Sequence, residues 1–175
     1  MYWETDRLII TRLTMDMARD VHENSLDADT RKYLPDEVFE TPEEARETVA
    51  FLMTRYDTME GPLVYGVLTK AGHHNAGYVQ LVPLEGGAWE VGCHMGEKYT
   101  GNGYATEAVK AFLPAMDERL GLKEVYGISL KENIASCRVL EKCGFETLFA
   151  GMGTYQGRQR EIVRSVWREK ENGKK

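Results

Sequence analysis

The feature that most constrains this chain is a pair of glycines set between a predicted strand and a predicted helix. Residues 88–95 read as a strand, Gly101 and Gly103 allow a tight turn, and apolar residues recur at helical spacing over residues 103–120. The free backbone N–H groups at the start of such a helix face whatever lies over the turn. The segment therefore indicates either a phosphate-binding turn or a plain structural turn.

Two common phosphate-binding motifs do not match this segment. No Gly-Lys-Ser/Thr follows the glycines, as a P-loop requires, and Thr106 stands where the dinucleotide fingerprint has Gly or Ala. The glycine spacing therefore disfavours a nicotinamide-dependent oxidoreductase.

The remaining elements predict a mixed α/β domain with a strand-rich middle. Thr41 and Pro42 mark the start of one helix, and Pro114 is expected to kink or shorten another. We expect one domain over residues 1–175, with a frayed tail at 168–175. The predicted strands are 7–13, 63–69, 77–83, 88–95, 124–130, 145–151 and 159–167, and the helices are 16–26, 41–60, 103–120 and 133–143.

The charge of the chain restricts its partners. The net charge of −6 disfavours nucleic-acid binding, because neutralising phosphates requires a basic surface. The charge is also uneven, since residues 1–60 carry 15 acids and 7 bases whereas residues 61–175 carry 13 acids and 15 bases.

Cysteine use and apolar runs give further expectations. The chain has three cysteines, which is an odd number, and no two of them form a CxxC pair. We therefore expect neither a disulfide framework nor a metal site. The N-terminus does not read as a signal peptide, and no apolar stretch approaches the ~20 residues that span a bilayer. We therefore expect a cytoplasmic protein that does not act at a membrane.

Three segments resemble one known family. Residues 100–108, Thr-Gly-Asn-Gly-Tyr-Ala-Thr-Glu-Ala, resemble the acetyl-coenzyme A signature of the GCN5-related N-acetyltransferases (GNAT). Residues 133–145 begin Asn-Ile-Ala-Ser and end Glu-Lys-Cys-Gly-Phe, and they are similar to a segment of the branch that includes the ribosomal-protein N-terminal acetyltransferases (RimJ/RimL-like). Residues 4–8 also resemble the start of that branch. The resemblance spans about residues 4–167.

The resemblance implies a fold and an activity. The fold is a mixed α/β (α+β) sheet of about six to seven strands flanked by about four helices, with the coenzyme between two splayed strands. The activity is direct transfer of an acetyl group from acetyl-coenzyme A to a primary amine, with no metal. The acceptor is left open between a protein N-terminus and a small cationic amine, and a homodimer is possible. The alternative is a catalytically silent module of the same fold that senses acyl-coenzyme A.

The resemblance also implies which residues contact the coenzyme. Thr100 departs from the Gln or Arg that usually begins the signature, so one side-chain contact is in doubt while the backbone contacts remain. The implied coenzyme-binding residues are Cys93, His94, Met95, Thr100, Gly101, Asn102, Gly103, Tyr104, Ala105, Thr106, Asn133 and Ser136.

Three side chains are candidates for catalysis. The attacking amine must be neutral, so a base is needed, and Glu90 acting through water is the first choice, with His94 as the alternative. Ser136 is the candidate donor to the leaving thiolate, because Leu140 stands where many relatives carry a Tyr. A ping-pong route through Cys93 is disfavoured, and Glu107 is expected to be a structural hydrogen-bonding group.

The acidic N-terminal region, residues 1–60, is expected to form one wall of the acceptor site. In the family this wall comes from the N-terminal helices and the loop between them, although Asp36, Glu37 and Glu40 match no known specificity signature. An acidic wall would attract a protonated amine or a basic peptide. This hypothesis requires that the acids line the cleft.

Overall fold

Eight strands form one sheet in the computed structural model, which describes residues 2–169. The strand order is β1-β2-β3-β4-β5-β6-β8-β7, and every neighbouring pair is antiparallel except β5 and β6. The strands are β1 (Tyr2–Glu4), β2 (Leu8–Arg12), β3 (Leu63–Thr69), β4 (Asn75–Pro83), β5 (Trp89–Met95), β6 (Glu124–Leu130), β7 (Glu146–Tyr155) and β8 (Arg158–Arg168).

Six helices cover the two faces of the sheet. They are α1 (Ala18–Ser25), α2 (Ala28–Tyr33), α3 (Pro42–Met53), α4 (Arg55–Thr58), α5 (Tyr104–Leu120) and α6 (Ile134–Lys142). The helix α5 packs on the first half of the sheet, α6 packs on β6, and α1 packs on β4 and α3. The fully buried Ile10, Val79 and Phe112 belong to the core beneath α5. A smaller cluster that includes Met17, Val49 and Val64 lies beneath α1 and α3.

The predicted fold class is confirmed, with two additional elements. The strand β1 was not predicted because it contains only three residues. The helix α2 lies inside the polar segment before Pro35, and it begins because the Asp27 carboxylate accepts a hydrogen bond from the Thr30 N–H at 2.8 Å. Propensity and periodicity do not reveal such a short polar helix.

Some boundaries also differ from the prediction. The helix predicted over 41–60 ends at Met53, and α4 follows it. The strand predicted over 145–151 continues to Tyr155. The helix α5 continues through Pro114 to its predicted end at Leu120, so the expected shortening is not observed. The expected tail begins inside β8, because Arg168 is a strand residue whose Nε donates to Glu124 at 2.8 Å. Residues 170–175 lie outside the described part of the chain.

Among residues 2–169, no helix combines the length and the apolar composition that crossing a bilayer requires.

Candidate active site

The strands β5 and β6 separate after two residue pairs. Trp89 pairs with Val125 and Glu90 with Tyr126, and no further pair joins these strands. By contrast, β5 pairs with β4 along seven residues, and β6 pairs with β8 along seven. The edge of β5 beyond Glu90 therefore faces an opening in the sheet with its backbone groups free of strand partners.

The turn that precedes α5 lies next to this opening. Gly101 and Gly103 have φ of +76° and +77°, a region that favours glycine. The Thr100 hydroxyl donates to the Glu97 carbonyl at 2.8 Å, and the Asn102 amide donates to the Tyr99 carbonyl at 3.1 Å. No side chain caps the start of α5. Its first N–H groups therefore have no side-chain partner, which is compatible with both a phosphate-binding turn and a plain structural turn.

A clamp that sequence reasoning missed holds this turn in place. The Arg7 guanidinium donates to the Asn102 carbonyl at 2.9 Å and, through Nε, to Glu107 at 2.7 Å. Glu107 also accepts from the Thr5 hydroxyl at 2.5 Å. Although burial opposes ionisation, these hydrogen bonds lower the pKa of Glu107. Glu107 is therefore a structural hydrogen-bonding group, and Arg7 places a positive charge over the turn.

A cavity of about 530 Å³ opens beside the first turn of α5. Two bases, Lys110 and Lys142, and two acids, Asp6 and Glu107, line it, and Glu107 forms an ion pair with Arg7. Its other lining residues are Thr5, Gly103 and Thr106. The two lysines beside the uncapped helix start are groups that can contact a phosphate. Among residues 2–169, no group of three or more His, Cys, Asp or Glu side chains is placed to hold a metal ion.

The start of α6 faces the opening from the side of β6. The Asn133 side chain accepts from the Ser136 N–H at 3.2 Å and so caps the helix. The Ser136 hydroxyl shares a 2.7 Å hydrogen bond with the hydroxyl of Ser129, a buried residue of β6 that sequence reasoning missed. Leu140 is buried against Gly127, so it contributes packing at the position where many relatives carry a Tyr.

Glu90 lies at the last paired position before β5 and β6 separate. Val91 and Met95 face the core beneath α5, so the alternating Glu90 and His94 project to the face that carries α1 and α2. Burial raises the pKa of Glu90 to about 7, although the positive charge of Arg164 opposes this rise. A carboxyl group with this pKa exchanges a proton readily near neutral pH.

His94 is held by a hydrogen-bond network of its own. Its Nε2 lies 2.8 Å from the Thr30 hydroxyl and 3.5 Å from the Asp27 carboxylate. The Thr30 hydroxyl also donates to Asp27 at 2.8 Å, so it links the carboxylate and the imidazole. The hydrogen bonds from Thr30 lower the pKa of Asp27 although burial opposes this. These contacts hold the His94 ring against the start of α2.

The thiol of Cys93 is poorly suited to nucleophilic attack. Burial raises its pKa to about 12, and nearby Cys143 contributes in the same direction. The thiolate form is scarce at neutral pH, in agreement with the disfavoured ping-pong route.

The N-terminal acids contribute unequally to the site. Asp36 and Glu40 are exposed, and Glu40 pairs with Arg31 at 2.6 Å. Glu37 instead turns toward the sheet, where it accepts from the Tyr78 hydroxyl. The acidic wall expected from the charge distribution thus reduces, in this segment, to one carboxylate.

Comparison with known proteins identifies the family. A family model described as an acetyltransferase (GNAT) domain matches residues 7–146. The chain belongs to this family. Over 145 residues this GNAT protein is 28% identical to the uncharacterized N-acetyltransferase YnaD of Bacillus subtilis (strain 168), a stretch that covers 82% of each chain. The expectation of an N-acetyltransferase is thereby confirmed.

Solved structures of GNAT proteins share the fold. An acetyltransferase (GNAT family) from Bacillus anthracis superimposes with a TM-score of 0.82 at 24% identity, covering 96% of this chain and 98% of that one. RimL, a ribosomal L7/L12 α-N-protein acetyltransferase in complex with coenzyme A, superimposes with a TM-score of 0.78 at 15% identity, covering 96% and 98%.

Proposed function

We propose that this GNAT protein transfers the acetyl group of acetyl-coenzyme A directly to a primary amine held in the same complex. The observation that carries the proposal is the position of Glu90. A carboxyl group with a pKa of about 7 lies at the point where β5 and β6 separate. The uncapped start of α5 follows the other end of β5. The coenzyme complex of RimL supports the choice of donor.

The coenzyme binds along the opening in this proposal. Its pyrophosphate lies over residues 101–106, and Lys110 and Lys142 attract the remaining phosphate. The acetyl-bearing arm runs between β5 and β6, where backbone N–H groups of residues 93–95 polarise the thioester carbonyl. Asn133 and Ser136 contact the arm from the side of α6.

The reaction needs one base and one donor. Glu90, through a water molecule, takes a proton from the acceptor ammonium, and the neutral nitrogen attacks the thioester carbon. The C–N bond forms as the C–S bond breaks, and the departing thiolate is stabilised by the Ser136 hydroxyl and protonated. The products are the N-acetylated amine, free coenzyme A and one proton released to solvent.

The strength of the base favours one class of acceptor. An α-amine has a pKa of about 7.7–8.0 and a lysine-type amine about 10.4. A base with a pKa of about 7 therefore deprotonates an α-amine at a cost of about one pKa unit, compared with more than three for a lysine-type amine. We accordingly place protein N-termini and small α-amines ahead of long-chain alkylamines.

The test is release of free thiol from acetyl-coenzyme A with a panel of amines that includes short peptides. The proposal expects release that depends on both substrates, together with coenzyme binding in calorimetry. Coenzyme binding without turnover across the panel would favour the acyl-coenzyme A sensor. Absence of coenzyme binding by the folded protein would overturn both the acetyltransferase proposal and the sensor hypothesis.

A further inference from the structure

The polar side chains of the turn before α5 bond to the backbone of that turn. The Thr100 hydroxyl donates to the Glu97 carbonyl at 2.8 Å. The Asn102 amide donates to the carbonyls of Tyr99 and Thr100, each at 3.1 Å. Thr100 also stands where the family signature usually has Gln or Arg. The turn therefore offers a phosphate its backbone N–H groups, and the direction of those groups decides how well it binds one.

Arg7 fixes the direction of one of these N–H groups from a distant part of the chain. It lies between β1 and β2, and its Nη1 donates to the Asn102 carbonyl at 2.9 Å. A trans peptide is planar, so the Gly103 N–H points in the opposite direction from that carbonyl. Among residues 2–169, no protein acceptor receives a hydrogen bond from the Gly103 N–H. This N–H is thus directed away from the guanidinium and is left for a ligand.

The guanidinium of Arg7 is itself held on three sides. Its Nε donates to Glu107 at 2.7 Å, its Nη2 lies 2.6 Å from the same carboxylate, and its Cζ lies 4.8 Å from the centre of the Tyr104 ring. The Glu107 carboxylate also accepts from the Arg7 backbone N–H at 3.1 Å. A lysine could pair with Glu107, but only a planar guanidinium reaches the carboxylate and the Asn102 carbonyl together.

We propose that Arg7 is a positioning residue of the coenzyme site, which acts through Asn102 to aim the Gly103 N–H at the pyrophosphate. Arg7 precedes Asn102 by 95 positions, so the segment between β1 and β2 becomes part of the coenzyme site only in the folded chain. The inference rests on the proposed function, because it concerns the coenzyme site of that proposal.

The test measures the affinity for coenzyme A by calorimetry in Arg7→Lys, which keeps the charge and removes the planar group. Loss of the hydrogen bond to Asn102 is expected to weaken binding about tenfold. In NMR spectra of protein with isotope-labelled glycine, saturating coenzyme A is expected to shift the Gly103 amide proton downfield in the wild type and by less in Arg7→Lys. A purely structural role of Arg7 would lower stability without changing this shift.

A second variant and a matched control complete the experiment. Glu107→Gln, which weakens the hold on the guanidinium, is expected to reduce the affinity about threefold. The control is Arg31→Lys, because Arg31 pairs with Glu40 at the same 2.6 Å and is exposed to the same extent, and it should change the affinity by less than about twofold.

Wild-type affinity and Gly103 shift in a folded Arg7→Lys variant would overturn the assignment, as would a Gly103 amide that does not respond to coenzyme A in the wild type. Either result would leave the proposed acetyl transfer intact. A wild-type protein that binds no coenzyme A would count against the proposed function, and the Arg7 assignment would fall with it.

Discussion

The two halves of the candidate site are built in different ways. The proposed coenzyme half depends on consecutive residues, because the turn at 101–103 and the first turn of α5 supply backbone N–H groups. The proposed acceptor half depends on side chains from separate elements, because Glu90 of β5 and Glu37, which accepts from Tyr78 of β4, both lie near Tyr155 of β7. The first half should therefore be sensitive to backbone conformation, and the second to single side-chain groups.

The largest effect is expected from Glu90→Gln, which tests the acceptor half. Loss of a general base lowers kcat by about 10²–10³-fold. In the wild type kcat/KM should rise as pH increases through about 7, because Glu90 becomes ionised, and this step should be absent in the variant. Rates measured from pH 5.5 to 9 check this.

Glu85→Gln is the control for that experiment, because Glu85 is exposed in the turn before β5. A Glu90→Gln variant that retains the wild-type pH step would show that another group is the base.

Glu90→Gln should also make the protein more stable than the wild type above neutral pH. Burial holds the pKa of native Glu90 at about 7, above its unfolded value, so the native state binds more protons between pH 4.5 and 7. Stability is therefore lost as pH rises through this window, and the loss amounts to at most about 3 kcal/mol. Urea unfolding at pH 5 and pH 8 should show a smaller fall in Glu90→Gln than in the wild type.

Gly103→Val tests the coenzyme half. A β-branched residue is strained at a φ of +77°, by roughly 1–2 kcal/mol, although the space around this position is open apart from Arg7. Relief of that strain displaces the turn, and we expect coenzyme affinity to fall about tenfold. Calorimetry with coenzyme A gives the dissociation constant.

Gly121→Val is the matched control, because Gly121 ends the same helix at a φ of +62° with equally open surroundings. If both variants bind coenzyme alike, the turn at 101–103 is not the phosphate site.

The smallest effect is expected at the hydroxyl pair on β6 and α6. Ser136→Ala should lower kcat about tenfold, and Ser129→Ala about threefold, because Ser129 acts only by orienting the Ser136 hydroxyl. Coenzyme affinity should not change in Ser129→Ala and should fall slightly in Ser136→Ala, because Ser136 contacts the acetyl-bearing arm in the proposed complex. A larger kcat loss in Ser129→Ala than in Ser136→Ala would reverse the assigned roles.

The same contrast explains what could be predicted from the sequence. The turn at 101–103 could be predicted because its residues are contiguous and its glycines follow from backbone geometry. Glu90 was proposed as the base because it lies on the same strand as residues 93–95, and that role stays a prediction. Arg7 and Ser129 were missed because their partners, Asn102 and Ser136, become neighbours only in the folded chain. Glu37 was named only together with Asp36 and Glu40, because the tertiary contact with Tyr78 that distinguishes it is not visible in the sequence.

The strand β5 forms seven residue pairs with β4 but only two with β6. This difference separates the position of Glu90 from the width of the opening between β5 and β6. Seven pairs with β4 fix the register of β5 and so the placement of Glu90, whereas the opening depends on where β6 departs. Substitutions on β6 after Tyr126 can therefore widen or narrow the opening without shifting Glu90. Such a scaffold can evolve toward bulkier acyl donors in small steps, because each step leaves the proposed base in place.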